Sequence, residues 1–146
     1  MATTEPIRDR KQLQALAHYY LEQGQVRNYA MLMTGVYTAL RIGDLLQLKW
    51  NDVYDEEKEA FHNHITLTEQ KTGKTKTIAL NNQAAEALRL CLPFRKCEYI
   101  FASRNGGNRP ISRMQAWRVI RGACMALGID GNISCHSLRK TWGYHA

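Results

Sequence analysis

From Tyr29 to Leu40 the chain is almost wholly apolar, interrupted only by Thr34, Gly35 and Thr38, and it then runs straight into Arg41. No other feature constrains the fold as much. A stretch this uniformly apolar belongs inside a protein. It falls short of the roughly 18 residues needed to cross a membrane. The expectation is a helix from about Gln25 to Leu40 at the centre of a domain. Arg41 to Leu48 continues that helix or follows after a short break, with Ile42, Leu45, Leu46 and Trp50 at helical spacing. An arginine at the edge of a buried run requires an anion. Asp44, three positions on, neighbours Arg41 on a helix surface. A bound phosphate, which a guanidinium grips with paired charge-assisted bonds, is the other choice. Spacing leaves both open.

The remaining segments build around this centre. Asp9 with Gln12 forms a capping box, and Leu13, Leu16, Ala17, Tyr20 and Leu21 make a helical stripe closed by Gly24. Trp50 to Val53 ends the helical pattern, and the acidic Tyr54 to Ala60 reads as a turn. Phe61 to Thr68 alternates, with Phe61, Ile65 and Leu67 on one face and His62, His64, Thr66 and Thr68 on the other. Lys71-Thr72-Gly73-Lys74 is a turn, and Thr75 to Leu80 returns, so residues 52–80 read as one small antiparallel sheet. Asn81 or Asn82 caps a helix bearing Ala84, Ala85, Leu88, Cys91 and Leu92, which Pro93 ends. A loop holding Tyr99-Ile100-Phe101 and the basic, glycine-rich stretch 103–109 follows. Ser112 with Gln115 then caps a helix whose expected apolar stripe is Met114, Trp117, Ile120, Cys124 and Leu127. A last helix begins near Ser134 and carries no closing signal by Ala146. The fold class is mainly α with a small antiparallel β-sheet, α+β, in a single domain covering residues 1–146.

The chain has 146 residues and a formal net charge of +7, which points to a polyanionic partner, nucleic acid first. Its start lacks the apolar core of a signal peptide, so a cytoplasmic protein without a membrane partner is expected. The four cysteines, Cys91, Cys97, Cys124 and Cys135, form no C-x-x-C pair and read as reduced, half-buried thiols.

Three short stretches together carry a resemblance. Gly35-x-x-x-x-Leu40-Arg41-Ile42-x-Asp44-Leu45-Leu46-x-Leu48-x-x-x-Asp52-Val53 resembles the first arginine box of the tyrosine recombinases, the phage-integrase family. Lys71-Thr72-Gly73-Lys74 resembles that family's lysine-bearing β-turn, and His136-Ser137-Leu138-Arg139-Lys140-Thr141 its second box. They occur in the family's order. The resemblance implies a tyrosine-recombinase-like catalytic core that cleaves and rejoins double-stranded DNA through a 3′-phosphotyrosine, with no cofactor. It implies Arg41 and Arg139 as a phosphate clamp, Lys71 as general acid, and His136 as proton shuttle or hydrogen-bond donor. Asp44 would buttress Arg41. The register of the lysine, Lys71 or Lys74, stays open. Lys74, Lys76, Arg104, Arg109, Arg113 and Lys140 are the candidate DNA contacts. Further protomers are implied as partners of the full-length protein, and a bacterial or phage setting at the nucleoid as its location.

The chain also departs from the family pattern. The family's nucleophilic tyrosine lies on a segment beyond the second box. The only tyrosine near Arg139 is Tyr144, five positions on and roughly 140° around a helix. The expectation is therefore a partial catalytic domain that supplies the phosphate clamp without the attacking group, and without the family's N-terminal DNA-clamping domain. Two other readings compete: a stand-alone DNA-binding remnant, and a small metal-binding protein using His62, His64 and His136. The histidine pair has no third ligand nearby in sequence, so no metal site is assigned.

Overall fold

The computed structural model describes residues 10–129. Helix α1 (Arg10–Glu22) and helix α2 (Val26–Thr38) come first. Leu13, Leu16 and Tyr20 of the α1 stripe are buried, Ala17 is half-buried, and Leu21 is exposed. Asp9, the expected cap, lies outside the described residues. Helix α2 is the central element that its composition predicts. Ala30, Met31, Leu32 and Val36 are buried, and their neighbours come mainly from α1 and α5 (Asn82–Cys91). In α5 the inward residues are Ala84, Ala87, Leu88 and Cys91. Asn81 is its cap, accepting the Ala84 N–H at 3.0 Å.

Helix α2 stops at Ala39, which adopts a left-handed conformation with φ 55°. That conformation costs a non-glycine residue about 1–2 kcal/mol. Two groups hold it there. The Ala39 N–H donates to Gly35 O, and the Thr38 hydroxyl donates to Thr34 O at 2.7 Å. The chain thus breaks before Arg41, and a short helix α3 (Ile42–Leu46) starts in a new direction. Trp50–Val53 does not end the helical pattern. It forms one further turn, α4, whose first free N–H, that of Lys49, is taken by the Asp52 carboxylate at 2.8 Å.

Residues 52–80 make two hairpins in place of the single expected sheet. Strand β1 (Tyr54–Asp55) pairs with β2 (Ala60–Phe61), so the ends of the acidic segment read as a turn are in fact strand. Strand β3 (His64–Thr68) pairs antiparallel with β4 (Thr75–Ala79), with Ile65 opposite Ile78 and Leu67 opposite Lys76. The expected strand 61–68 is interrupted because His62 turns its N–H to Val53 O while the Asn63 carbonyl accepts from Leu80. The expected faces hold in β3: Ile65 is buried, Leu67 half-buried, and His64, Thr66 and Thr68 exposed.

Helix α6 (Arg113–Leu127) begins at the expected capping box. The Ser112 hydroxyl accepts the Gln115 N–H, and the Gln115 carboxamide accepts the Ser112 N–H. Its buried stripe, however, is Ala116, Ile120, Ala123 and Cys124. Met114, Trp117 and Leu127 are exposed. Helix α6 packs on α1 and α3 through its buried stripe. The Tyr20 hydroxyl fastens α1 to α6 through Val119 O at 3.0 Å. Cys91 and Cys124 are free and fully buried, beyond the half-burial expected; Cys97 is half-buried, and Cys135 lies outside the described residues. Among the described residues, no helix is long and apolar enough to cross a membrane.

Candidate active site

The break after α2 decides where Arg41 points. Arg41 is the N-cap of α3 with extended backbone, φ −64° and ψ 146°. It therefore stands outside the helix in which an i, i+3 neighbour at Asp44 would sit beside it. Its partner is Glu69 instead, with Nη1 3.0 Å from Oε2. Asp44, almost wholly buried, turns to the hairpin and accepts the Gln70 N–H at 3.0 Å. Asp44 thus anchors the turn between β3 and β4, and the expected Arg41–Asp44 buttress is replaced by Arg41–Glu69.

Glu69 is a small hub. One carboxylate oxygen takes Arg41 and, at 3.4 Å, the Lys76 ammonium; the other accepts the Thr72 hydroxyl at 3.1 Å. The side chain is 11% exposed while both cations are about one-third exposed. Burial opposes its charge, but hydrogen bonds from Thr72 and Lys76 and the charges of Lys76 and Arg41 hold its carboxyl below the usual glutamate range. Glu69 also shapes the turn through its backbone, since Gly73 N–H donates to its carbonyl with Gly73 at φ 71°. A left-handed residue is needed there, and glycine takes it without strain.

That turn carries Lys71 into the same open cleft as Arg41. The cleft has a volume of ≈ 660 Å³ and is lined by Arg41, Ile42, Gly43, Asp44, Gln70, Lys71 and Arg113. Arg113 enters from the first turn of α6. Its guanidinium passes over Gly43 so closely that a Cβ there would lie 2.5 Å from Nη2. Three cations from three separate segments thus face one space, with Glu69 behind Arg41. Such a cleft suits an oxyanion.

The other expected residues lie elsewhere. Lys74 is exposed on the far end of the turn, outside the cleft lining, and Lys76 is committed to Glu69. Arg104 and Arg109 are exposed on the 103–109 loop, away from this cleft. His136, Arg139, Lys140 and Tyr144 lie outside the described residues, so the second half of the expected clamp does too. The His62 ring is 3.2 Å from Asn51 O, and His64 is exposed on β3. Among the described residues, no three His, Cys, Asp or Glu side chains gather as metal ligands would. Burial pushes the Cys91 thiol up to about 11 despite the nearby Arg27 charge, so it stays protonated and inert.

Glu69 is the site residue that sequence reasoning missed. The signal was present: Ile65, Leu67 and Glu69 share one parity, so the alternation that buries Ile65 also turns Glu69 inward. An acidic residue on the buried parity beside a basic turn calls for a cation.

A profile of the phage integrase family matches residues 8–146. The chain is 36% identical over 146 residues to the probable integrase/recombinase YoeC of Bacillus subtilis (strain 168), covering 99% of this chain and 76% of that protein. It is 34% identical over 115 residues to the integrase of Escherichia phage HK022, covering 72% of this chain but 30% of that protein. Among solved structures, the XerA recombinase superposes with a TM-score of 0.75 at 23% identity, over 96% of this chain and 50% of that one. Lambda integrase residues 75–356 bound to DNA give a TM-score of 0.75 at 21% identity, over 97% of this chain and 51% of that one. The chain therefore spans about half the length of these solved structures, and at such identities they speak to the fold alone.

Proposed function

The chain belongs to the phage integrase family, and from that premise we propose that it takes part in site-specific recombination by gripping the scissile phosphate of duplex DNA between Arg41 and Lys71, in the cleft that Arg113 also lines. The observation that carries this reading is the convergence of those three cations, of which Arg41 and Lys71 occupy the two family motifs within the described residues.

In the reaction a tyrosine hydroxyl attacks the phosphorus. The new tyrosine O–P bond forms as the P–O5′ bond breaks, leaving a 3′-phosphotyrosine and a free 5′-hydroxyl. Arg41, with Arg139 as the second arm, offsets charge on the phosphoryl oxygens. Glu69 fixes one edge of the Arg41 guanidinium and leaves its remaining N–H groups to the phosphate. Lys71 donates its proton to the departing O5′, and His136, as proton shuttle, takes the proton that the tyrosine hydroxyl releases. Asp44 and Glu69 hold the Lys71 turn against Arg41. Arg113 and Lys74 contact flanking phosphates. No tyrosine lines the cleft among the described residues, and in this reading the 146 residues supply the clamp while the nucleophile comes from another segment. Duplex DNA is the partner. Further protomers complete the assembly, in keeping with the lambda integrase tetramer bound to a Holliday junction, whose fold this chain shares.

The test uses end-labelled nicked duplex DNA and denaturing electrophoresis. The 146-residue chain alone is expected to bind the duplex but leave no protein-linked band. A band should form when the tyrosine-bearing segment of a relative is supplied in trans, and Arg41→Ala should abolish it, since one lost oxyanion donor costs about 3–4 kcal/mol. A band from the chain alone that vanishes with Tyr144→Phe would show that the attacking group is within it. A band that persists in Arg41→Ala would refute the clamp.

A further inference from the structure

A second group of cations lies apart from the Arg41 cleft, between α1, the first turn of α2, the 103–109 loop and α6. Arg27, Arg104 and Arg118 line an open cavity of ≈ 490 Å³ there, and none of its lining residues lines the Arg41 cleft. Neutral polar side chains, among them Tyr19, Asn105 and Gln115, complete the wall, and no carboxylate does.

Arg27 is built into place. Its Nη1 donates to Ala102 O at 2.9 Å, while Nε and Nη2 donate to the Asn28 carboxamide oxygen at 3.1 and 3.0 Å. Asn28 is itself buried and fixed by Gln25 at 3.1 Å. A guanidinium has five N–H groups. Three are used, and one remains on each Nη. Among the described residues neither Arg27 nor Arg104 nor Arg118 has a carboxylate partner. Burial, and the neighbouring Arg104 charge after it, push the Arg27 guanidinium below its ordinary range. Tethering the loop to α2 accounts for three bonds of Arg27. It does not account for the Arg104 guanidinium, whose charge opposes that of Arg27, or for Arg118 on the wall of the same cavity.

We propose that this cavity is a second oxyanion site, in which Arg27, Arg104 and Arg118 take a phosphate group, either a backbone phosphodiester or a free phosphoanion. Arg27 supplies two pre-set donors, and the exposed Arg104 and Arg118 close on the remaining oxygens. The site stands independently of the cleft reading above.

The experiment titrates inorganic phosphate into the isotopically labelled 146-residue chain at low ionic strength, read by nuclear magnetic resonance, with sodium chloride of equal ionic strength as control. The Arg27 side-chain Nε signal and the Asn105 and Gly122 amides should shift to saturation. The Arg104→Ser/Arg118→Ser pair, both on the surface, should unfold at the unaltered temperature yet weaken this response at least tenfold. Arg27→Lys, which keeps the charge but loses the fork, should also weaken it. The Gly43 amide reports the Arg41 cleft separately, so failure of either site is distinguishable from failure of the other. Duplex DNA is then added. Displacement of phosphate at Arg27 identifies the occupant as a backbone phosphodiester, and retention there with loss at Gly43 identifies a free phosphoanion. A drift at Arg27 matched by sodium chloride, or an unchanged response in the double variant, would overturn the proposal.

Discussion

Gly43→Ala separates the cleft's function from the domain's stability. Gly43 is buried in α3 without a left-handed conformation. Alanine is favoured over glycine in a helix by roughly 0.5–1 kcal/mol. The added methyl would lie 2.5 Å from Arg113 Nη2, 3.3 Å from its Cζ and 3.1 Å from Gln70 Oε1. The first contact is too short to persist, but it is with the far end of a flexible side chain. Arg113 swings aside, Gln70 yields by a few tenths of an ångström, and no backbone moves. Net stability should therefore stay within about 0.5 kcal/mol of the unaltered chain, measured by urea denaturation. DNA binding should respond differently. Losing one phosphate contact lowers the slope of log K against log[salt] by about 0.9, and one charge-assisted pair is worth roughly tenfold in affinity. Fluorescence anisotropy with a labelled duplex over a salt series reads both. Arg113→Ala should reproduce the loss, and the double variant should add nothing, as expected for two changes acting on one contact. Unaltered affinity and slope in Gly43→Ala would remove Arg113 from the DNA-binding surface. A loss of more than about 2 kcal/mol in stability would show that α3 cannot absorb the methyl.

Glu69→Gln should flatten the acid limb of the stability profile. The folded carboxyl is held below its unfolded value of about 4.3, so its contribution is full above that value and is lost as pH falls through the lower folded one. Urea midpoints from about pH 6 down to pH 3 check this, and an unchanged acid limb would contradict it. Leu88→Ala, at a fully buried position on α5, should cost about 2–5 kcal/mol. Leu90→Ala, two positions on and half exposed, should stay within about 0.5 kcal/mol. In the chain complemented in trans with a tyrosine-bearing segment, Lys71→Ala should slow cleavage of the ordinary 5′-oxygen leaving group far more than that of a 5′-thiol. Lys74→Ala should discriminate neither, and the reverse pattern would move the acid to Lys74.

Much of the frame was legible because it rests on local rules. The apolar run 29–40 gave the central helix, Asn81 and Ser112 gave helix starts, and alternation gave the faces of β3. What escaped depends on which surfaces meet. Side-chain size draws the stripe of α6 through its largest apolar residues, yet the fold buries the face carrying Ala116 and Ala123, which meets α1 and α3. Residues 52–80 read as one sheet because alternation runs across His62 and Asn63. It could not show that their backbone groups bond outside the strand.

The misplaced partner of Arg41 has a more particular cause. The rule that pairs positions three apart holds inside a helix, and Arg41 is not inside one. Ala39, in a strained left-handed conformation, turns the chain just before it and leaves Arg41 extended. Strain of this kind persists only where the surrounding contacts over-determine it, and here they do. Arg41 binds Glu69, Glu69 binds Thr72 and Lys76, and Asp44 returns from α3 to the Gln70 amide. The two carboxylates thus divide the work that the resemblance assigned to Asp44 alone. Glu69 orients the arginine, Asp44 fixes the turn, and between them Lys71 and Arg41 are held to one cleft although each belongs to a different segment. A neutral residue at 69 would leave Arg41 and Lys76 without their counter-charge, while one lacking a side-chain acceptor at 44 would free the turn and leave Arg41 in place. The two positions should therefore fail in different ways: Glu69→Gln through the arginine's grip on phosphate, Asp44→Ala through the placement of the lysine.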